Sequence, residues 1–300
     1  MNVDFFAVLP VFFLVFLGFL ARRFGFADKE FAKKLLELTL VVAFPATAFL
    51  ALSKLRLSSG QLFLPLAPFV FVAIMFVVGK FLGKKLGLKD VQLGVFKTSL
   101  MIINTAFVLI FAIQMLGTEG VQKVFLVDLT GGLLVMSFIY SVSVKSSPNA
   151  SRNSLDLLKR VLLFPPFLAS VAGIFFVLFN WTVPTQVVSL LSPLDKMSFP
   201  LLAFSTGVLL ELKIRQPRVV FTSVLTKMAG GFLLGLAFVS IVGLQGLDKA
   251  VLLATFSSPV GFNTVAFAAR EKLDVELAAS LFFVSALIGL FLVPVIFLLA

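Results

Sequence analysis

The 300-residue chain contains no cysteine and no histidine, and only one tryptophan and one tyrosine. The first two absences remove disulfides, thiol nucleophiles, imidazole bases and the common soft metal sites together. Acidic residues are scarce as well, with 14 Asp and Glu against 25 Lys and Arg. An enzyme active site inside a membrane needs a nucleophile with its base, a carboxylate pair or metal ligands. With neither Cys nor His, the chain is read as a non-enzyme that uses no cofactor and no metal. One Trp and one Tyr are also too few for an aromatic recognition cage. Most of the 38 phenylalanines are read as lipid-facing or packing residues.

What the chain has in abundance is apolar length. It is 60% hydrophobic with a mean hydropathy of +1.13, well above the roughly half-apolar composition of soluble domains. That makes it an all-α polytopic membrane protein. At about 20 residues per span, the length allows roughly ten transmembrane helices and leaves no room for a separate soluble domain. Apolar runs lie near 4–21, 35–53, 61–83, 91–116, 121–143, 161–180, 187–211, 219–243, 250–269 and 277–299. The first is expected to remain as a membrane helix and not be cleaved, because Arg22 and Arg23 follow the run instead of preceding it.

A net charge of +11 could suggest nucleic acid, yet the basic residues sit between the runs with no groove-reading motif beside them. They fit membrane orientation better. The loops after the odd-numbered runs carry 18 of the 25 Lys and Arg, and the loops after the even-numbered runs carry four. This bias places the odd loops in the cytoplasm and both termini on the non-cytoplasmic side of the cell membrane.

An odd number of helices per repeat inverts the second copy, so a five-plus-five pattern is sought. Run 2 holds Phe44-Pro45-Ala46-Thr47-Ala48-Phe49, and run 7 holds Phe199-Pro200-Leu201-Leu202-Ala203-Phe204. Run 4 holds Ile103-Asn104-Thr105-Ala106-Phe107, and run 9 holds Phe262-Asn263-Thr264-Val265-Ala266. The chain is therefore divided into a first five-helix repeat (1–143), a cytoplasmic linker (144–160) and a second, inverted repeat (161–300). Within the linker, Asn149-Ala150-Ser151 matches a glycosylation sequon but lies on the expected cytoplasmic side.

The stretch 254–270 is read as a helix broken in mid-membrane. Pro259 removes an amide hydrogen, Gly261 loosens the backbone, and Ser257, Ser258, Asn263 and Thr264 are polar at that depth. Asn104 lies 14 residues past Asp90, and Asn263 lies 14 past Lys249. Each is thus about 20 Å in from opposite surfaces, near the midplane. The candidate substrate-binding set is Asn104, Thr105, Ser257, Ser258, Pro259, Asn263 and Thr264; interhelical hydrogen bonding is the plainer alternative. Ionisable groups inside spans are costly and become candidates for coupling or charge balance. Asp128 could carry a proton or pair with a lysine. Lys227 and Lys97 could neutralise it or attract an anion, and Lys97 could equally snorkel to the surface. Asp195-Lys196, placed near the start of run 7, is read as a self-paired interfacial dipeptide.

Several motifs resemble the auxin efflux carrier family, which includes prokaryotic malate and malonate permeases. They are Ser257 to Thr264, Ala268 to Lys272, Glu276 to Ser280 and Ser285 to Pro294. Arg22-Arg23-Phe24-Gly25, Pro45, Asn104 with Phe107, Gly117 to Gly120, and Pro200 with Gly207 extend the likeness over essentially the whole chain. The resemblance implies an architecture like that of bile acid/sodium symporters, with broken helices 4 and 9 crossing at the substrate. Helices 1, 2, 6 and 7 would form a scaffold and often a homodimer interface, and helices 3–5 and 8–10 a moving core. One departure is that this chain has Val108 to Ile113 where the family usually has Gly and Pro after the helix 4 Asn, so helix 4 is expected to be less broken than helix 9.

The functional expectation is a secondary carrier of a small organic anion, a carboxylate, working by alternating access in the lipid bilayer with possible proton coupling. A sodium- or proton-coupled carrier of the bile acid symporter or cation/proton antiporter type is the rival. A passive channel is a third class, separable by saturation.

Overall fold

The computed structural model describes residues 5–55, 59–148, 165–210 and 214–299. Most of the linker, including the sequon at Asn149, lies outside the described residues. Among those described, the regular structure is helical throughout, and eight helices are long and apolar enough to cross a membrane. They are α1 (Phe6–Arg23), α2 (Lys29–Leu52), α3 (Gln61–Lys85), α4 (Asp90–Met115), α5 (Gly117–Lys145), α7 (Thr185–Leu209), α8 (Pro217–Val242) and α10 (Val275–Leu299). The other two apolar runs give shorter pieces. These are α6 (Pro165–Leu178), and an α9 formed by α9a (Gly246–Phe256) and α9b (Asn263–Arg270). The protein is thus a polytopic membrane protein.

Local chemistry sets the helix ends. Asp28 accepts a hydrogen bond from the Phe31 amide at 2.7 Å and caps α2, satisfying one of the first-turn donors that has no partner inside the helix. Gly243 ends α8 at a φ of 73°, a left-handed conformation open to glycine at no steric cost. Pro45 and the π-turn Thr39–Ala43 before it lie inside α2, where the missing proline donor loosens the hydrogen-bond ladder.

Packing sorts the helices into two groups. In one, α1 lies along α7, while α2 packs against both α6 and α7. Gly18 and Gly207 let α1 and α7 touch backbone to backbone: a β-carbon on Gly18 would collide with the Phe204 carbonyl, and one on Gly207 with the Val15 carbonyl. In the other group α3 packs on the first half of α4, the second half of α4 on α5, α9a on α8 and α5, and α10 on α8, α9 and α4. The broken helices are the most enclosed, and every residue from 250 to 256 is buried. Phe13, Phe81, Leu190, Ile241 and Phe291 are exposed on the outer helices, as apolar side chains facing lipid should be. Irregular backbone at membrane depth has to be covered by protein or face a watery cavity.

Two sequence expectations change here. Asp195 and Lys196 lie about three turns into α7 and form no ion pair among the described residues. Neighbours on a helix point about 100° apart and do not face each other. Lys123, counted with the loops, is a buried residue of α5. Its ammonium lies 2.6 Å from Asp248 in the first turn of α9a, where a carboxylate also complements the helix dipole.

Candidate functional site: the crossing of two broken helices

α4 consists of α4a (Asp90–Met101) and α4b (Thr105–Met115), separated by residues 102–104. The gap between α9a and α9b is twice as long, spanning residues 257–262. The expected asymmetry is therefore present. α4 breaks without a Gly-Pro pair because Asn104 supplies the stop. Its side-chain carbonyl accepts from the Phe107 amide at 3.2 Å and caps α4b.

The two gaps hold each other open. The Asn104 amide donates to the Ser258 hydroxyl at 2.9 Å, and its side-chain nitrogen donates to the Val260 carbonyl at 3.3 Å. From α10, Ser285 accepts the Val260 amide at 3.0 Å. Gly261 lies against Ile102, where a β-carbon would come within 2.6 Å of a methyl group, and Pro259 and Phe107 both lie against Gly289. Ser257 is turned back onto its own helix, donating to the Leu253 carbonyl at 2.6 Å. Each backbone group freed by a break needs such a partner, since an unmet one costs several kcal/mol in hydrocarbon.

A cavity of about 110 Å³ opens beside this crossing. Asn104, Thr105, Asp128, Gly261 and Asn263 line one wall, and Leu36, Leu40 and Phe44 of α2 with Leu202 of α7 line the other. It lies at the first turns of both α4b and α9b, where the amides of Phe107, Thr264 and Val265 already donate to Asn104, Gly261 and Phe262. Asp128 accepts from the Thr105 hydroxyl at 2.5 Å. The Asn263 side chain forms no hydrogen bond among the described residues, so its amide is free to meet a solute.

Of the sequence-predicted residues, the fold brings Asn104, Thr105, Ser258, Pro259, Asn263 and Asp128 together. Ser257 points away from the cavity, and the buried Thr264 hydroxyl has no partner among the described residues. The paired Asn-Thr motifs differ in register: Asn104 is the residue before its half-helix, whereas Asn263 is the first residue within its own. The lysines stand apart. Lys227 is fully buried in a π-turn of α8 with its ammonium 4.2 Å from the Phe71 ring centroid and no hydrogen-bond partner among the described residues. Lys97 packs against Gly79 of α3. Neither lines the cavity nor pairs with Asp128. Ser285, read only as part of a family motif, and the α2–α7 wall were not among the expected site residues; a serine deep in a long apolar stretch was the available signal for the first.

Comparison with known proteins agrees with the architecture. The profile of a family described as membrane transport protein matches residues 4–297. An uncharacterized transporter of Methanocaldococcus jannaschii is 29% identical over 301 residues, covering 95% of each chain. An uncharacterized transporter of Methanothermobacter thermautotrophicus is 25% identical over 299 residues, covering 96% of this chain and 95% of its own. A match along almost the whole length, to a chain whose two broken helices cross inside a helical bundle, places this protein in the membrane transport protein family, the auxin efflux carrier family.

Proposed function

We propose that the protein is a secondary carrier for a small organic anion, a carboxylate, bound where α4 and α9 cross. The observation that carries this reading is the cavity at the paired half-helix starts. Helix N-termini carry the positive end of the backbone dipole, which suits a carboxylate. Asn263 adds an uncommitted neutral donor. Drug-sized pockets run from about 300 Å³ upward, so a cavity of about 110 Å³ favours a solute of few heavy atoms. The division into α1, α2, α6 and α7 against the remaining helices supports alternating access by a core that slides along a scaffold, with the two halves of the chain as inverted repeats. A homodimer through the scaffold and both termini on the non-cytoplasmic side of the cell membrane complete the reading. Proton coupling at Asp128 is favoured over sodium, which prefers several oxygen ligands.

The test is counterflow of labelled malate, malonate and indole acetate in proteoliposomes, with Asn263→Ala beside the wild type. Saturable counterflow lost in the variant is the expected result. Unchanged transport by Asn263→Ala would remove the site from the crossing, and non-saturating electrical conduction would replace the carrier with a channel.

A further inference from the structure

A second cavity, of about 270 Å³, lies on the same seam between the two helix groups but beyond the crossing. Along α2 the order is Leu36, Leu40 and Phe44 on the first cavity, then Thr47 and Ala51 on the second, joined by Lys54 in the turn just past the helix. Along α7, which runs the other way, Ser192 and Asp195 line the second cavity and Leu202 the first. Between them the helices are pinned by a buried hydrogen bond of 2.7 Å joining the Thr47 and Ser198 hydroxyls. On the core side, Val121 of α5 lines the second cavity and Asp128 the first. Seven residues of helix span about 10 Å. Phe125 fills that interval, with its ring centroid 5.8 Å from that of Phe44 and both side chains buried.

We infer that this second cavity is the opposite vestibule of the same pathway, sealed from the crossing by Thr47–Ser198 and Phe44–Phe125, and that Lys54 on its wall is the first contact for an anionic solute. The inference rests on the carrier reading above. Lys54 is exposed and forms no ion pair among the described residues, so its charge is available to an incoming anion. Asp195 across the cavity is also without an ion-pair partner, and can accept a hydrogen bond from a hydroxyl on the same solute. The cavity walls come from both helix groups, α2 and α7 on one side and α4b and α5 on the other. A sliding core would therefore reshape it.

The cysteine-free chain allows a direct test, because each introduced thiol is the only one present. Ser192→Cys and Leu40→Cys are placed separately in sealed right-side-out and inside-out membrane vesicles, then exposed to a membrane-impermeant sulfonated thiosulfonate. Each thiol should react from one face, and the two faces should be opposite. In the Ser192→Cys background, Lys54→Gln should slow the sulfonated reagent about fivefold without slowing its trimethylammonium counterpart, as removal of one nearby charge would. Lys54→Arg should restore the rate. Reaction of both thiols from one face would overturn the vestibule, and an unchanged sulfonate rate in Lys54→Gln would overturn the role of Lys54. None of these readings requires the solute to be known. Failure of carboxylate counterflow would therefore count against the proposed substrate and leave the vestibule result standing.

Discussion

Asp128 is placed to do more than fill space. It faces the cavity, takes a hydrogen bond from the first hydroxyl of α4b and has no cation in contact among the described residues. A charge held that way in a membrane interior is expensive, and a protonated carboxyl of the same shape is not. Asp128→Asn imitates the protonated form. It is expected to preserve exchange of solute across the membrane and to abolish accumulation driven by an imposed pH gradient, measured in the same vesicles. Accumulation equal to wild type would assign Asp128 a structural role as the anchor of Thr105. The two asparagines differ in what they bind, with Asn104 bracing one break against the other and the Asn263 side chain on the cavity wall forming no hydrogen bond among the described residues.

The elements that decide the site are two helices that stop and restart. Their gaps are stabilised reciprocally, so a change in one should be felt in the other. Gly261→Ala would drive a methyl group into Ile102. Overpacking of this kind costs about 1–3 kcal/mol. The thermal unfolding midpoint of the detergent-solubilised protein should fall accordingly, and Ile102→Ala added to Gly261→Ala should recover part of the loss. Additive losses would show that the two gaps are not in mechanical contact. The sequence contained half of this arrangement in readable form. Pro259 and Gly261 announce the α9 break through their own backbone chemistry. The α4 break carries no such residue, and depends on Asn104 finding Ser258 and Val260 across 154 and 156 positions of chain.

At the scale of the whole molecule, rigidity within each helix group matters as much as motion between them. The α1–α7 contact is backbone on backbone, and a β-carbon at Gly207 would meet the Val15 carbonyl, which has no room to yield. Gly207→Ala is therefore expected to lower the unfolding midpoint and the yield of folded protein more than Gly261→Ala, where a side-chain methyl can rotate away. Equal effects would indicate that α1 can shift along α7. The buried Lys123–Asp248 pair plays the corresponding part in the second group, tying α5 to the start of α9a.

Spans, candidate orientation and the α9 break follow from one-dimensional properties: the length of apolar runs, the placement of Lys and Arg, and a proline with its neighbouring glycine. Those properties act on the chain locally, so they can be read from it in order. The cap at Asn104, the turning of Ser257 away from the cavity, the isolation of Lys227 from Asp128 and the second cavity beside Lys54 could not be. Each depends on which residues from distant helices arrive at the same depth and rotation. Side-chain direction changes by about 100° per residue, so a one-position difference in register separates an asparagine that caps its half-helix from one whose side chain stays unbonded among the described residues. Only the packed bundle determines that rotation.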